Sequence, residues 1–305
     1  MKLYKYLIAA FSLLASTACN STNESMKTYG QTSVFPQHEP MGKGVGVCPG
    51  RVTWTWNRNA VNWDGTGPWY RLENYNEAAV QRLVSEGIAN LAGCDNASDG
   101  WAKLFAYNRQ TRNLNGGYQP GEKIAIKANI NGAAEYDDDT TGTATEDIYT
   151  NPVVLKCLLT SLVSDGGVRP EDITVFDVTR IFPDFMKDFC SRGILQGVNF
   201  VGRDNGVPDM SAPLVWTKHK SSTKNYFPTC LTSATYLINL ATLKGHDYGV
   251  TLCAKNHFGS FINDNRLRAP QEAGLHSNVA AHKMDSYQVL TDLMANHQLY
   301  PKTVL

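Results

Sequence analysis

The 305-residue chain lacks an excess of charge of either sign: 28 Lys+Arg stand against 28 Asp+Glu, and charged residues make up only 18% of it. No basic run exceeds the short Lys218-His219-Lys220 patch. A dedicated nucleic-acid binder needs a basic excess or stripe to engage phosphate, so no nucleic-acid partner is expected. None of the seven cysteines falls in a C-x-x-C pair, which removes the usual ligand spacing of zinc ribbons and iron–sulfur clusters. No Gly-x-Ser-x-Gly elbow, P-loop or helical His-x-x-x-His pair occurs. Gly44-x-Gly46-x-x-x-Gly50 follows no strand and does not match a dinucleotide fingerprint. What remains is ordinary globular composition, 42% hydrophobic, with length enough for a sizeable core.

The amino terminus is different in kind. Lys2 and Lys5 precede an apolar run from Leu7 to Ala15, and the small residues Ser16, Thr17 and Ala18 lead to Cys19. That order reads as a secretory signal peptide over 1–18, too short to span a bilayer. Cys19 directly after Ser-Thr-Ala looks like a bacterial lipobox, which makes Cys19 the lipidated first residue of the mature chain; plain secretion is the alternative. Residues 19–40 are rich in Ser, Thr, Asn and Gln without hydrophobic period, as in a tether that holds a soluble body off a membrane. No later segment approaches the ~20 apolar residues of a membrane helix. The expected location is a cell envelope, with the membrane contacted through the lipid alone. Six cysteines are then left, and an oxidising envelope would permit up to three disulfides of unreadable connectivity. Cys157 and Cys190 lie in apolar helical runs and read as buried free thiols.

From about Met41 the pattern is globular. Gly50–Trp56 alternates like a strand, and Asn57–Pro68 is a Trp/Asn/Gly loop. Asn76 caps a helix to Leu91 closed by Gly93, and Ala97–Tyr107 forms a second. Lys123–Lys127 is a short apolar strand. Pro152–Ser164 is a helix with Pro in its first turn; Asp172–Val178 is a buried strand; Pro183–Arg192 is a helix ended by Gly193. Val198–Gly202 and Tyr236–Leu240 are strands, the latter after an irregular stretch, and Gly249–Lys255 reads as one more. Alternation at this spacing predicts an α/β fold: a mostly parallel sheet with flanking helices, layered as in Rossmann folds, in a single domain over 41–305.

In such sheets ligands gather at the carboxyl ends of strands. That rule selects Lys127-x-Asn129-x-Asn131, where a Lys beside two amides suits a carboxylate, phosphate or carbonyl oxygen; satisfying loop backbone is the bland alternative. It also selects Asp177-Val178-Thr179-Arg180, Asn239, and Lys244–Ser260, which holds His246, Lys255, Asn256 and His257 between glycines that let backbone approach a ligand. His246, His257, His276 and His282 fall within 37 residues. A divalent metal beside them is compatible with the residue types, with its identity and ligands open. Asp137-Asp138-Asp139 lacks the spaced carboxylates and Gly of an EF-hand and reads as a solvated loop. The aromatic stretch Trp54–Tyr75 suits either stacking on a sugar or lid packing.

Pro49-Gly50-Arg51-Val52, Ala60-x-Asn62-Trp63-x-Gly65, Lys127-x-Asn129, Pro170-Glu171-Asp172-Ile173-Thr174-Val175-Phe176-Asp177 and Lys255-Asn256-His257-Phe258-Gly259-Ser260 together resemble the DUF362 family, a bacterial family named for its unknown function. The resemblance runs from about Met41 to Leu305 and is most specific in the last two motifs. Some relatives carry ferredoxin-like cysteine clusters; this chain does not, so iron–sulfur chemistry is not carried over. Many relatives of this type are exported. Relatives usually continue past the region matching Lys302–Leu305, so the chain is expected to stop inside a strand, short of the domain's end.

Three functional readings follow. The first is an enzyme acting on a small polar or glycan-derived ligand: Lys127 and Lys255 hold an anionic or carbonyl group, His246 or His257 moves a proton, and Asn129, Asn131, Asp177, Arg180 and Asn256 bind. The second is a ligand-binding lipoprotein with no chemistry. The third is an inactive fragment.

Overall fold

A computed structural model describes residues 43–133, 148–218, 224–246, 249–263 and 287–305. The signal peptide, Cys19, the tether, Asp137–Asp139, His276 and His282 lie outside these. Residues 44–305 form one compact unit.

The framework is a four-stranded parallel sheet of β1 (Ile124–Lys127), β2 (Ile173–Phe176), β3 (Asn199–Val201) and β6 (Tyr236–Asn239), in the order β3-β2-β1-β6. The expected parallel α/β architecture is therefore present. Beyond β6, Thr303 bridges Leu237 in parallel, Val304 N donates to the Leu237 carbonyl at 2.8 Å, and Asn239 N donates to that of Leu305 at 2.8 Å.

Side chains alternate across the sheet, as strand geometry requires. Ile124, Ile126, Ile173, Val175, Tyr236 and Ile238 face one core, which also holds α1 (Glu77–Ala92), α2 (Ala97–Thr111), α3 (Pro152–Ser164) and α4 (Asp184–Cys190). Ala125, Phe176 and Leu237 face a second core. That side carries an antiparallel sheet of β4 (Pro208–Leu214), β5 (Asn225–Pro228) and β9 (Ile262–Asn263), the short helix α5 (Thr229–Thr232), and α7 (Val289–Met294).

Local signals set the helix boundaries. The Asn76 side chain accepts from Ala79 N, and Gly93 ends α1 in the left-handed region at φ 67°. The Asn151 side chain accepts from Val153 N and Val154 N ahead of Pro152 in α3. Buried Trp101 of α2 donates to Ser161 of α3 at 3.0 Å. Cys157 and Cys190 are buried free thiols, both pushed up to about 12 by burial.

Three expectations need correction. Gly50–Trp56 is extended but pairs with no strand: Val52, Trp54 and Trp56 are exposed, while Arg51 Nη1 donates to the Asn90 carbonyl at 2.8 Å and Thr53 lies against Gly87. Its alternation comes from lying along α1, since a helix offers no ladder. Gly249–Lys255 is not one strand: β8 (Gly249–Thr251) pairs antiparallel with β7 (Lys244–His246), and α6 (Cys253–Asn256) follows. The irregular stretch before β6 holds β4, β5 and α5. Pro208 and Pro213 within β4, and the register shift between them, erase its strand signature.

Asp172 explains one of the family-like motifs structurally. Fully buried at the start of β2, it accepts from Tyr118 Oη (2.6 Å), Gly121 N (2.7 Å), Lys123 Nζ (2.7 Å) and Arg169 Nε (2.9 Å). Burial pushes its carboxyl pKa up, but these donors outweigh that and hold it well below the usual range. It fastens the segment before β1 to the segment before β2.

A polar cluster at the carboxyl ends of the sheet

Strand order reverses direction at β1, which has β2 on one side and β6 on the other. In open parallel sheets the crevice at such a reversal is where ligands bind. Register places Lys127 level with Phe176 and Asn239, all three on the same face of the sheet as Ala125.

Lys127 is fully buried, and its Nζ donates to Asp177 Oδ2 at 2.9 Å, to Asn256 Oδ1 at 3.4 Å and to the Ala128 carbonyl. Asp177 Oδ2 also accepts from Ile130 N at 3.1 Å; Oδ1 accepts from Thr179 N at 3.0 Å and Thr179 Oγ1 at 2.6 Å. Asn256 Nδ2 donates to the Lys127 carbonyl at 3.1 Å and to Asn239 Oδ1 at 2.7 Å. Asn239 Nδ2 completes the chain on the Cys253 carbonyl at 3.0 Å. Burial pulls the Lys127 pKa down, with the Asp177 carboxylate pulling the other way. One connected network therefore joins the ends of β1, β2, β6 and α6.

Gly259 belongs to this network through the space it leaves. A Cβ there would lie 2.4 Å from Asp177 Oδ1 and 2.8 Å from Lys127 Nζ. Its carbonyl accepts from Val178 N at 3.0 Å. The close approach that a glycine permits here is thus to an ion pair of the protein itself.

His257 is 1% exposed, its Nδ1 lies 2.9 Å from Ser260 Oγ, and burial followed by the charge of Lys127 pushes it down to about 3. Its contact with Ser260 ties the Asn256–Ser260 turn together, and burial disfavours its charged form. His246 lies in β7, paired with Gly249.

Lys255 points to different chemistry. It is half-buried, its Nζ sits 4.7 Å from the Phe258 ring centroid, and burial followed by the nearby Lys244 charge pushes it down to about 8. Lys244 Nζ donates to the carbonyls of Asn131 (2.9 Å) and Ile148 (2.7 Å). Lys244 thus lies against the loop that follows β1, and its charge bears on Lys255 in α6. An amine poised near 8 both attracts an anion and exchanges a proton near neutrality.

The remaining sequence candidates divide. Asn129 is buried; its backbone N donates to Thr150 Oγ1 at 2.7 Å, and its Oδ1 has no hydrogen-bond partner among the described residues. Asn131 is exposed, so the even spacing from Lys127 does not carry one environment past the end of β1. Arg180 is buried and donates to the Thr179 carbonyl at 2.8 Å. Of the aromatic stretch, Trp69 and Tyr70 pack on Tyr149, while Trp54, Trp56 and Trp63 are exposed. Among the described residues no group of three His, Cys, Asp or Glu could hold a metal ion, and no helix is long and apolar enough to cross a membrane. Asn239, selected by the strand-end rule but given no role from its residue type, lies level with Lys127 and joins the network through Asn256.

The fold and this cluster define the class: an α/β protein with a polar network at the strand-order reversal of a parallel sheet. The chain belongs to the DUF362 family, described as a domain of unknown function, whose profile matches residues 124–299. That span begins at β1 and takes in every residue of the network. Comparison with curated proteins and with solved structures gave no match.

Proposed function

We propose that this protein is an exported lipoprotein, anchored through Cys19, that binds a small anionic polar molecule at the carboxyl ends of β1 and β6. Carboxylates, phosphates and glycan-derived acids are the classes concerned. What supports the reading is the placing of Lys244 on the Asn131 and Ile148 carbonyls after β1 and of half-buried Lys255 over Phe258 in α6, where burial and the Lys244 charge push Lys255 down to about 8. A bound anion relieves the repulsion between the two ammonium groups and stabilises the charged form of Lys255. The Lys127–Asp177 network serves as the rigid base that positions α6, and with it Lys255. The same amine supports catalysis: released from its proton near neutral pH, it is a general base for a ligand held by Lys244.

The test is calorimetric titration with inorganic phosphate, citrate and glucuronate. Lys255 carries its charge below about pH 8 and loses it above, so affinity falls between about pH 6.5 and about 9.5. Lys255→Met weakens binding about tenfold at the lower pH, roughly the worth of one charge-assisted hydrogen bond. Lys255→Arg keeps its charge, so it retains binding at the higher pH. Equal affinity of wild type and Lys255→Met for every anion would remove the assignment. Ligand turnover distinguishes an enzyme from a binding protein.

The anchor has its own test. Expressed with its natural leader in a bacterium that lipidates its exported proteins, the protein partitions with membranes and takes up labelled fatty acid, and Cys19→Ala moves it to the soluble fraction. A Cys19→Ala protein that stays membrane-bound would contradict the anchor.

A further inference from the structure

Cys48 lies in a turn closed by Arg51 N donating to the Cys48 carbonyl at 3.0 Å. Cys94 follows the Gly93 cap of α1, where Cys94 N donates to the Ala89 carbonyl at 2.9 Å. Both sulfurs approach one atom: Cys48 Sγ and Cys94 Sγ each stand 3.8 Å from the Ala92 carbonyl oxygen. They are therefore at most twice that distance apart, across a carbonyl that also accepts from Lys103 Nζ at 2.8 Å. A Cβ added at Gly93 would lie 3.4 Å from Cys48 Sγ and 2.7 Å from Arg51 Nη1, so the Cys48 turn and the Arg51 guanidinium both pack against the helix end. Both cysteines are half-buried, whereas Cys157 and Cys190 are closed off in the core.

We propose that Cys48 and Cys94 form a redox-controlled pair that closes to a disulfide. The two thiols give up two protons and two electrons to a small disulfide donor; its S–S bond breaks to two thiols as the Cys48–Cys94 bond forms. The bond clamps the segment 44–56 to the end of α1. That segment is held there by Arg51 on Asn90 and Thr53 on Gly87, and it joins whatever precedes it to the domain. Closing so long a loop restricts the unfolded chain, so the oxidised protein is the more stable form.

Full-length protein is incubated with oxidised glutathione, blocked with an alkylating agent and digested. The expected product is one linked pair of peptides carrying Cys48 and Cys94, two hydrogens lighter than the reduced pair. Oxidation raises Tm by roughly 5–10 °C, reversibly with a thiol reductant. Cys48→Ser and Cys94→Ser each abolish the linked pair and the shift, while Cys230→Ser and Cys253→Ser leave both intact. Separate glutathione adducts on Cys48 and Cys94, alkylation of both after oxidation, or pairing of either with another cysteine would overturn the proposal. Circular dichroism of the reduced serine variants checks that each is folded.

Discussion

Lys127→Met is expected to be the most damaging single substitution in the protein. It removes the cation from a carboxylate that is 2% exposed and leaves Asp177 with backbone and hydroxyl donors but no counter-charge. It also strips a donor from Asn256 Oδ1 and the Ala128 carbonyl. Breaking one side of a buried pair costs about 3–5 kcal/mol, a large fraction of the stability of most domains. Urea unfolding followed by circular dichroism should show that loss as a lower midpoint. The damage comes from the stranded charge, so the double variant Lys127→Met with Asp177→Asn should regain about 1–3 kcal/mol over additivity. Additive losses would mean that the two side chains act independently, against the 2.9 Å contact between them.

Gly259→Ala should come second, for a steric reason. The added methyl would overlap Asp177 Oδ1 and crowd Lys127 Nζ, and neither can retreat. Thr179 holds Asp177 Oδ1, while Lys127 and Ile130 N hold Oδ2. Moving Gly259 instead would stretch its bond from Val178 N. Overpacking of this kind costs about 1–3 kcal/mol, and here it also displaces an ion pair. Gly245→Ala is the control: a Cβ there meets nothing within 4 Å, and its effect should stay within about 0.5 kcal/mol. Similar unfolding midpoints for the two variants would mean that Gly259 is not what lets the α6 turn close on the ion pair.

The parallel sheet was legible because its strands announce themselves. Ile124–Lys127 and Ile173–Phe176 are short apolar runs buried on both faces, and α3, the helix between them, carries its own cap at Asn151. The antiparallel layer was not. β4 holds two prolines and β9 only two residues, so pairing across distant segments decides them. The site was legible as a set of residue types and much less as roles. Lys127, Asp177 and Asn256 do converge, but on one another; a charged residue at a strand end looks the same whether it waits for a ligand or for a partner fifty residues on. His257 illustrates the limit from the other side. Burial and then the neighbouring Lys127 charge, both invisible in the sequence, push down to about 3 a group that ordinarily titrates near neutrality. Lys255 is altered by the same physics in the direction useful for chemistry.

If Lys255 is the amine that meets the ligand, as proposed above, its own titration responds to binding. Protein carrying ¹³C-labelled lysine gives one Cε signal per lysine, and the signal lost in Lys255→Met is that of Lys255. The midpoint should lie near 8 in the free protein and rise when inorganic phosphate or a sugar acid binds. A midpoint at the ordinary lysine value of 10.5, unmoved by any anion, would contradict it.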